Sequence, residues 1–178
     1  MGGAITLPTT DDPPGSLKRF ALALYARDGV PEACRHLQDR HDLDVNLVLF
    51  AAFVGAGRGE RLTLSNLQAA RDRVGAWHQE VVRPLRAVRK RLKSGPPPAP
   101  DGITAHLRRW IQQVVIEAEL IELDELDALL AGWESVPASG SAAQSAAAAI
   151  ETVLQASGQA AVDGLDRQAI ETIASAAG

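Results

Sequence analysis

The sequence is poor in cysteine and in aromatic residues. Cys34 is the only cysteine in 178 residues, so the chain cannot form an internal disulfide or a cysteine-rich zinc site. A lone thiol is typical of a reducing compartment and favours a cytoplasmic location. Aromatic residues make up 4% of the chain, which leaves leucine, valine, isoleucine and alanine to build the core. Because alanine and leucine are strong helix formers, we predict an all-α protein.

A long hydrophobic run is also missing. The most apolar segment, residues 45–56, falls well short of the roughly 20 residues that span a bilayer, and Asn46 interrupts it. Residues 1–15 are polar and turn-rich and lack the features of a signal peptide, so we expect a disordered leader. These absences predict a cytoplasmic protein with no membrane partner.

Hydrophobic periodicity predicts a compact helical bundle. Residues 45–55 are apolar on nearly every side, which is typical of a helix at the centre of such a bundle. Two stripes with heptad-like spacing predict long helices at about 65–93 and 103–133, separated by a proline-rich linker at 95–100. The first stripe consists of Leu67, Ala70, Val74, Trp77, Val81, Leu85, Val88 and Leu92. The second stripe consists of Ile103, Leu107, Trp110, Val114, Ala118 and Ile121.

Three features interrupt these patterns. Pro84 cannot donate a backbone hydrogen bond, so we expect a kink in the first long helix near it. The second stripe slips in phase near Glu122, which predicts a bend or a second short helix there. Residues 136–178 are rich in alanine and serine, so we expect a weakly helical, low-complexity tail after a helical domain at 16–135.

Charge is distributed unevenly along the chain. The net charge is −4, yet residues 1–109 carry 17 basic and 11 acidic residues, whereas residues 110–178 carry 1 and 11. The basic face of the first long helix consists of Arg83, Arg86, Arg89, Lys90, Arg91 and Lys93, and the acidic face of the second consists of Glu117, Glu119 and Glu122. Complementary charges predict that these helices pair, either within one chain or between two copies. Nucleic-acid binding through residues 71–93 is a lesser alternative, because the basic face lacks aromatic stacking residues.

A polar junction lies between the second and third predicted helices. It contains Gln38, Asp39, Asp44 and Asn46. In one interpretation Asp44 caps the third helix and the other side chains satisfy backbone groups at the helix ends. In the other, the junction is a ligand or metal site in which Asp39, Asp42 and Asp44 supply carboxylates to Mg²⁺.

The remaining titratable residues form no recognisable reactive set. His36 and His41 are five residues apart, so on one helix they point about 140° away from each other, which is poor for joint metal ligation. Cys34 is expected to be a small core residue. No histidine follows three residues after Glu117, Glu119 or Glu122, as helical di-metal sites require. We therefore predict no catalytic residue, no metal site and no cofactor.

Several short segments carry a family resemblance. They are Phe20–Tyr25, Gly29-Val30, Cys34, Leu37-Gln38-Asp39, Asp44–Leu47, Leu49-Phe50, Trp77, Glu80–Val82, Pro84–Arg86, Arg91–Lys93 and Glu117–Glu119. Over about residues 17–130 the chain resembles a family of small hypothetical bacterial proteins of unknown function. The resemblance implies a helical fold and nothing about chemistry.

The sequence as a whole favours a non-enzymatic protein-interaction or regulatory module. Its heptad-like stripes and complementary charges predict that a helical face binds another protein or a second copy of the chain. The alternative is a small-ligand-binding protein or metal-dependent enzyme that uses Gln38, Asp39, Asp44 and Asn46. Binding of nucleic acid through residues 71–93 is the third possibility.

Overall fold

The computed structural model describes residues 16–94, 97, 101–158 and 161–178. The expected disordered leader and most of the proline-rich linker lie outside them. The described residues form eight α-helices. They are α1 Ser16–Tyr25, α2 Val30–His41, α3 Val45–Ala52, α4 Leu64–Trp77, α5 Arg83–Arg91, α6 Asp101–Leu129, α7 Ala142–Ser157 and α8 Gly164–Ala177.

The centre of the bundle is α3. All of its residues are buried, because a helix without a polar face must be covered on every side. It contacts α1, α2, α6, α7 and α8. The rings of Phe50 and Trp133 meet edge to face with centroids 5.5 Å apart. The structure thus confirms an all-α bundle around a central apolar helix.

Two π-helical turns change the register of the helices that they join. Phe53–Gly57 continues α3, and His78–Val82 connects α4 to α5. In the second turn the backbone N–H of Arg83 donates to the carbonyl of His78, one residue further back than in an α-helix. The turn ends just before Pro84, where we expected a kink. The extra residue rotates the inward face, so His78 and Val82 are buried instead of Trp77 and Val81.

The second long helix, α6, continues without interruption through Glu122. No second short helix begins at this position, so that alternative is wrong: the slip in the stripe marks a change of apolar residues between faces, not the end of a helix. Along α4 and α5, Arg73, Arg86 and Arg89 contact Glu125, Glu119 and Gln112 of α6, respectively. Because one series of numbers rises while the other falls, the two long segments run antiparallel.

The C-terminal helices differ from the weakly helical tail that the composition suggested. Both begin with a capping box, Ser141 with Gln144 in α7 and Asp163 with Asp166 in α8. Their apolar residues belong to the same core as α3. Those in the core are Ala149, Ile150, Val153, Leu154, Ala169, Ile170 and Ile173. Alanine-rich composition here permits close packing against the centre of the bundle.

No helix in the described ranges combines the length and the apolar character needed to cross a bilayer.

Candidate functional site

Four buried polar side chains meet where α3, α4 and α6 come together: Asp44, Asn46, His78 and Glu122. We call them the buried polar cluster. It begins at the tight turn between α2 and α3, in which Asp42 adopts a left-handed conformation with φ of 51°. Asp44 then caps α3, as predicted, because its Oδ1 accepts a hydrogen bond of 2.9 Å from the backbone N–H of Asn46.

Asn46 connects this cap to α6. Its Nδ2 donates to the backbone carbonyl of Glu119 at 2.9 Å and to Oε2 of Glu122 at 2.6 Å. A buried amide needs such partners, because an unpaired one costs about 1–3 kcal/mol. Both hydrogen bonds cross the interface between α3 and α6, so Asn46 fixes the position of the Glu122 carboxylate.

His78 lies between the two carboxylates of the cluster. Its Nδ1 is 3.0 Å from Oε1 of Glu122 and 3.2 Å from Oδ2 of Asp44. No hydrogen bond within the described ranges involves its Nε2. The two carboxylates therefore hold the ring through one nitrogen.

The buried environment shifts the acid–base properties of the cluster. Burial lowers the pKa of His78, but the adjacent carboxylates of Asp44 and Glu122 outweigh it and raise that pKa to about 9. Burial raises the pKa of Glu122, and the negative charge of Asp44 acts in the same direction, while His78 and Asn46 oppose them. At neutral pH the cluster therefore contains a histidinium ion between two acidic groups.

A cleft of about 300 Å³ opens beside the cluster. Asp44 and His78 line it together with His41, Arg71 and Ser157. His41 is almost completely buried, and its Nδ1 has no hydrogen-bond partner in the described part of the chain. The cleft thus brings small molecules or ions within reach of His41, Asp44 and His78.

A second polar cluster, around Asp166, joins α2 to α8. His36 Nε2 lies 2.9 Å from Asp166 Oδ1, while His41 Nε2 and Arg40 Nε lie 3.0 and 3.1 Å from Oδ2. The two histidines, expected to point apart, therefore converge on the two oxygens of one carboxylate. Burial raises the pKa of Asp166, but hydrogen bonds from the Asp163 backbone, His41 and His36 bring it down to about 2.

The predicted polar junction spans two surfaces. Asp44 lies on the cleft, whereas Gln38 and Asp39 line a groove on another side of α3, and Asn46 belongs to the buried polar cluster and also lines the groove. The three aspartates suggested for Mg²⁺ do not converge, because Asp39 and Asp42 are exposed and Asp42 pairs with Arg83 at 2.9 Å. This part of the metal hypothesis is wrong.

The groove has a volume of about 810 Å³ and a basic lining. Its basic residues are Arg35, Arg86, Arg89, Lys90, Lys93 and Arg108, and its acidic residues are Asp39 and Glu119. Much of the predicted basic face thus surrounds one groove. Arg86 pairs with Glu119 across it at 2.6 Å, which joins one residue from each predicted charged face.

The second predicted stripe lies on the surface. Five of its six residues are exposed, and Ala118 is the one that is buried. Their exposed fractions are 71% for Ile103, 47% for Leu107, 54% for Trp110, 48% for Val114 and 44% for Ile121. The pattern was real, but it marks the outer face of α6. We call these five residues the exposed stripe.

Sequence reasoning did not name His78 and placed Glu122 on the acidic face instead of in a buried site, because it assigned the inward positions to apolar residues. The signal was available in the spacing: Glu122 lies four residues after Ala118 and four before Leu126, and His78 lies midway between Val74 and Val82. A polar residue at a core position of a helix must be paired or functional. Cys34, by contrast, is fully buried as expected, and burial raises the pKa of its thiol to about 12.

Comparison with known proteins gives a family but no activity. The sequence matches DUF2390, described as a protein of unknown function, over residues 16–126. This range extends from α1 into α6 and includes the whole buried polar cluster. No curated protein and no solved structure matches the chain. Since the match covers well over half of the sequence, the resemblance to a family of unknown function is confirmed, and the chain belongs to DUF2390.

Proposed function

We propose that this protein is a self-associating helical interaction module in which α6 pairs with α6 of a second copy. The observation that carries the proposal is the exposed stripe. A contiguous apolar surface of this kind is typical of an interaction site. From Ile103 to Ile121 it extends over about 27 Å of the helix axis, long enough for a coiled-coil contact.

The spacing of the exposed stripe favours an antiparallel pair. Its members alternate at intervals of four and three residues, as a and d positions of a coiled coil do. Between Val114 and Ile121 the series has one further position, which Glu117 occupies. In an antiparallel arrangement Ile103 lies opposite Ile121 and Trp110 opposite Val114, so apolar residues meet at both ends and at the centre.

Charge supports the same orientation. The first half of α6 contains Arg108 and Arg109. The basic end of α5 lies beside it, because Thr104 donates to the carbonyl of Leu92 at 3.2 Å. The second half of α6 carries five acidic residues that are not buried, several of which also pair with basic residues of the same chain. They are Glu117, Glu119, Asp124, Glu125 and Asp127. Antiparallel pairing sets the basic end of each copy against the acidic end of the other.

Sedimentation equilibrium of the full chain at micromolar concentration tests the proposal. We expect a dimer for the natural sequence and a monomer for the double variant Leu107→Glu/Trp110→Glu, which places charge in the middle of the stripe. The matched control is Leu165→Glu on α8, at another apolar side chain that is 62% exposed; it should remain dimeric. A monomeric natural chain, or dissociation caused equally by the control, would contradict the proposal.

The basic groove supports a second candidate function, the binding of a small molecule that bears phosphate groups. Six basic side chains face two acidic ones around a volume that suits a nucleotide-sized ligand. Titration calorimetry with ATP at low salt provides the test. We expect binding that the double variant Lys90→Ala/Lys93→Ala removes and that Arg27→Ala, at an exposed arginine outside the groove lining, leaves unchanged. Absence of binding by the natural chain would exclude this function.

A further inference from the structure

We propose that Asp44, His78 and Glu122 bind a divalent first-row transition metal ion between their side chains. Asp44 and His78 line the cleft, and none of the three ligands belongs to the exposed stripe, so the site does not depend on self-association. Two carboxylates and one imidazole form a donor set that such ions accept.

The positions of the donor atoms match a shared ion. Oδ2 of Asp44 and Oε1 of Glu122 lie 3.2 and 3.0 Å from Nδ1 of His78. Two atoms that bind one tetrahedral Zn²⁺ ion at about 2.0–2.2 Å are separated by roughly 3.3–3.6 Å, so these donors need to move apart by a few tenths of an ångström. The three residues are all buried, and one ligand atom from each lies within 4.8 Å of the others. An ion can therefore enter with small side-chain shifts.

The surrounding hydrogen bonds leave these donor atoms pointing inward. The backbone N–H of Asn46 binds the other oxygen of Asp44, and its side-chain Nδ2 binds the other oxygen of Glu122. One residue thus orients both carboxylates, as residues around metal ligands commonly do.

Access to the cluster supports the same assignment. Within the described ranges His78 is the one side chain that approaches Oδ2 of Asp44, and this carboxylate lies on the cleft. The adjacent cleft offers a route for the ion and room for water at its remaining positions. His41, with its unpartnered Nδ1, lines the same cleft.

The donor set selects among metals. An imidazole ligand suits Zn²⁺ or Fe²⁺ better than Ca²⁺ or Mg²⁺, which prefer oxygen ligands throughout.

Equilibrium dialysis of the chelator-treated full chain against Zn²⁺, followed by metal analysis, tests the site. We expect one tightly held ion per chain at this cluster, no retention of Mg²⁺, and a higher melting temperature with Zn²⁺. His78→Gln and Glu122→Gln should abolish high-affinity binding. Asn46→Ala, which removes only the hydrogen bond to Glu122 and the one to the Glu119 carbonyl, should weaken it about 10–100-fold.

A control variant separates this site from the other cluster that could hold an ion, formed by His36, Asp163 and Asp166. His36→Gln should leave the high-affinity ion in place. Loss of the ion in His36→Gln together with its retention in His78→Gln would overturn the assignment. Because the cluster variants could unfold, the natural chain provides a decisive measurement by itself: failure to retain Zn²⁺ and an unchanged melting temperature would also overturn it.

Discussion

Asp166 is the residue on which the contact between α2 and α8 depends most. It is fully buried, receives His36, Arg40 and His41 from α2, and accepts the backbone N–H of Asp163 at the start of α8. Asp166→Asn removes the charge but leaves its cationic neighbours in place. We expect the free energy of unfolding to fall by about 3 kcal/mol, because breaking a buried ion pair strands the remaining charge. Urea denaturation at pH 7 measures this loss.

The pKa of the same carboxylate predicts how the free energy of unfolding depends on pH. Its pKa is about 2 in the folded protein, against an ordinary value of 3.8. The stability that the ionised carboxylate contributes is therefore fully present above pH 3.8 and is lost as the pH falls towards 2. The loss should amount to about 2 kcal/mol, and Asp166→Asn should not show it. As a control, Asp124→Asn breaks a pair with Lys18 at a half-exposed carboxylate and should change stability by less than about 1 kcal/mol.

The residues of the buried polar cluster show what sequence reasoning can reach at this scale. Capping by Asp44 and the need of Asn46 for a partner follow from residue type and from position beside an apolar helix. The partners, Glu122 and His78, lie 76 and 32 positions from Asn46 in the sequence, so only the packing of three helices brings them together. A long-range contact of this kind has no local pattern from which to predict it.

Gly55 controls how closely the π-helical turn after α3 packs on α7. A Cβ atom at this position would lie 2.4 Å from the backbone oxygen of Ser145, so the sequence needs glycine here for close approach and not for flexibility. Gly55→Ala should lower the free energy of unfolding by about 1–3 kcal/mol, as overpacking does. Gly75→Ala is the matched control, because a Cβ there meets nothing within 4 Å; in the interior of α4 it should raise stability by about 0.5–1 kcal/mol. Thermal unfolding measures the stability of both variants. Stabilities that change in the same direction would contradict this account.

The C-terminal helices contribute to stability through α7. Ile150 is fully buried in the core shared with α3. Ile150→Ala should therefore cost about 2–5 kcal/mol, from lost burial and the cavity left behind. Leu165→Ala, at an exposed side chain on α8, should cost less than about 0.5 kcal/mol. Equal stability of the natural chain and Ile150→Ala in urea would mean that residues 142–177 do not belong to the folding unit.

At the scale of elements, the sequence predicted where helices occur better than which faces they bury. Apolar spacing located α3 and both long segments, because helical period and helix propensity agree there. The buried face of the first long segment could not be predicted, because one extra residue in the turn at His78–Val82 rotates all later side chains about the helix axis. The stripe of α6 located the helix, but its period could not show whether the apolar face lies inside the bundle or on the surface.

At the scale of the whole molecule, the orientation of two copies can be measured directly. Antiparallel pairing of α6 places Leu107 of one copy opposite Glu117 of the other, whereas parallel pairing places each residue opposite itself. Under mild oxidation the double variant Leu107→Cys/Glu117→Cys should form a disulfide-linked dimer, and neither single variant should. Cys34 need not be replaced, because its buried thiol has a pKa of about 12 and stays unreactive. Cross-linking by the single variants would show parallel pairing, in which the basic ends repel each other. No cross-linking in any variant would place the contact elsewhere on the surface.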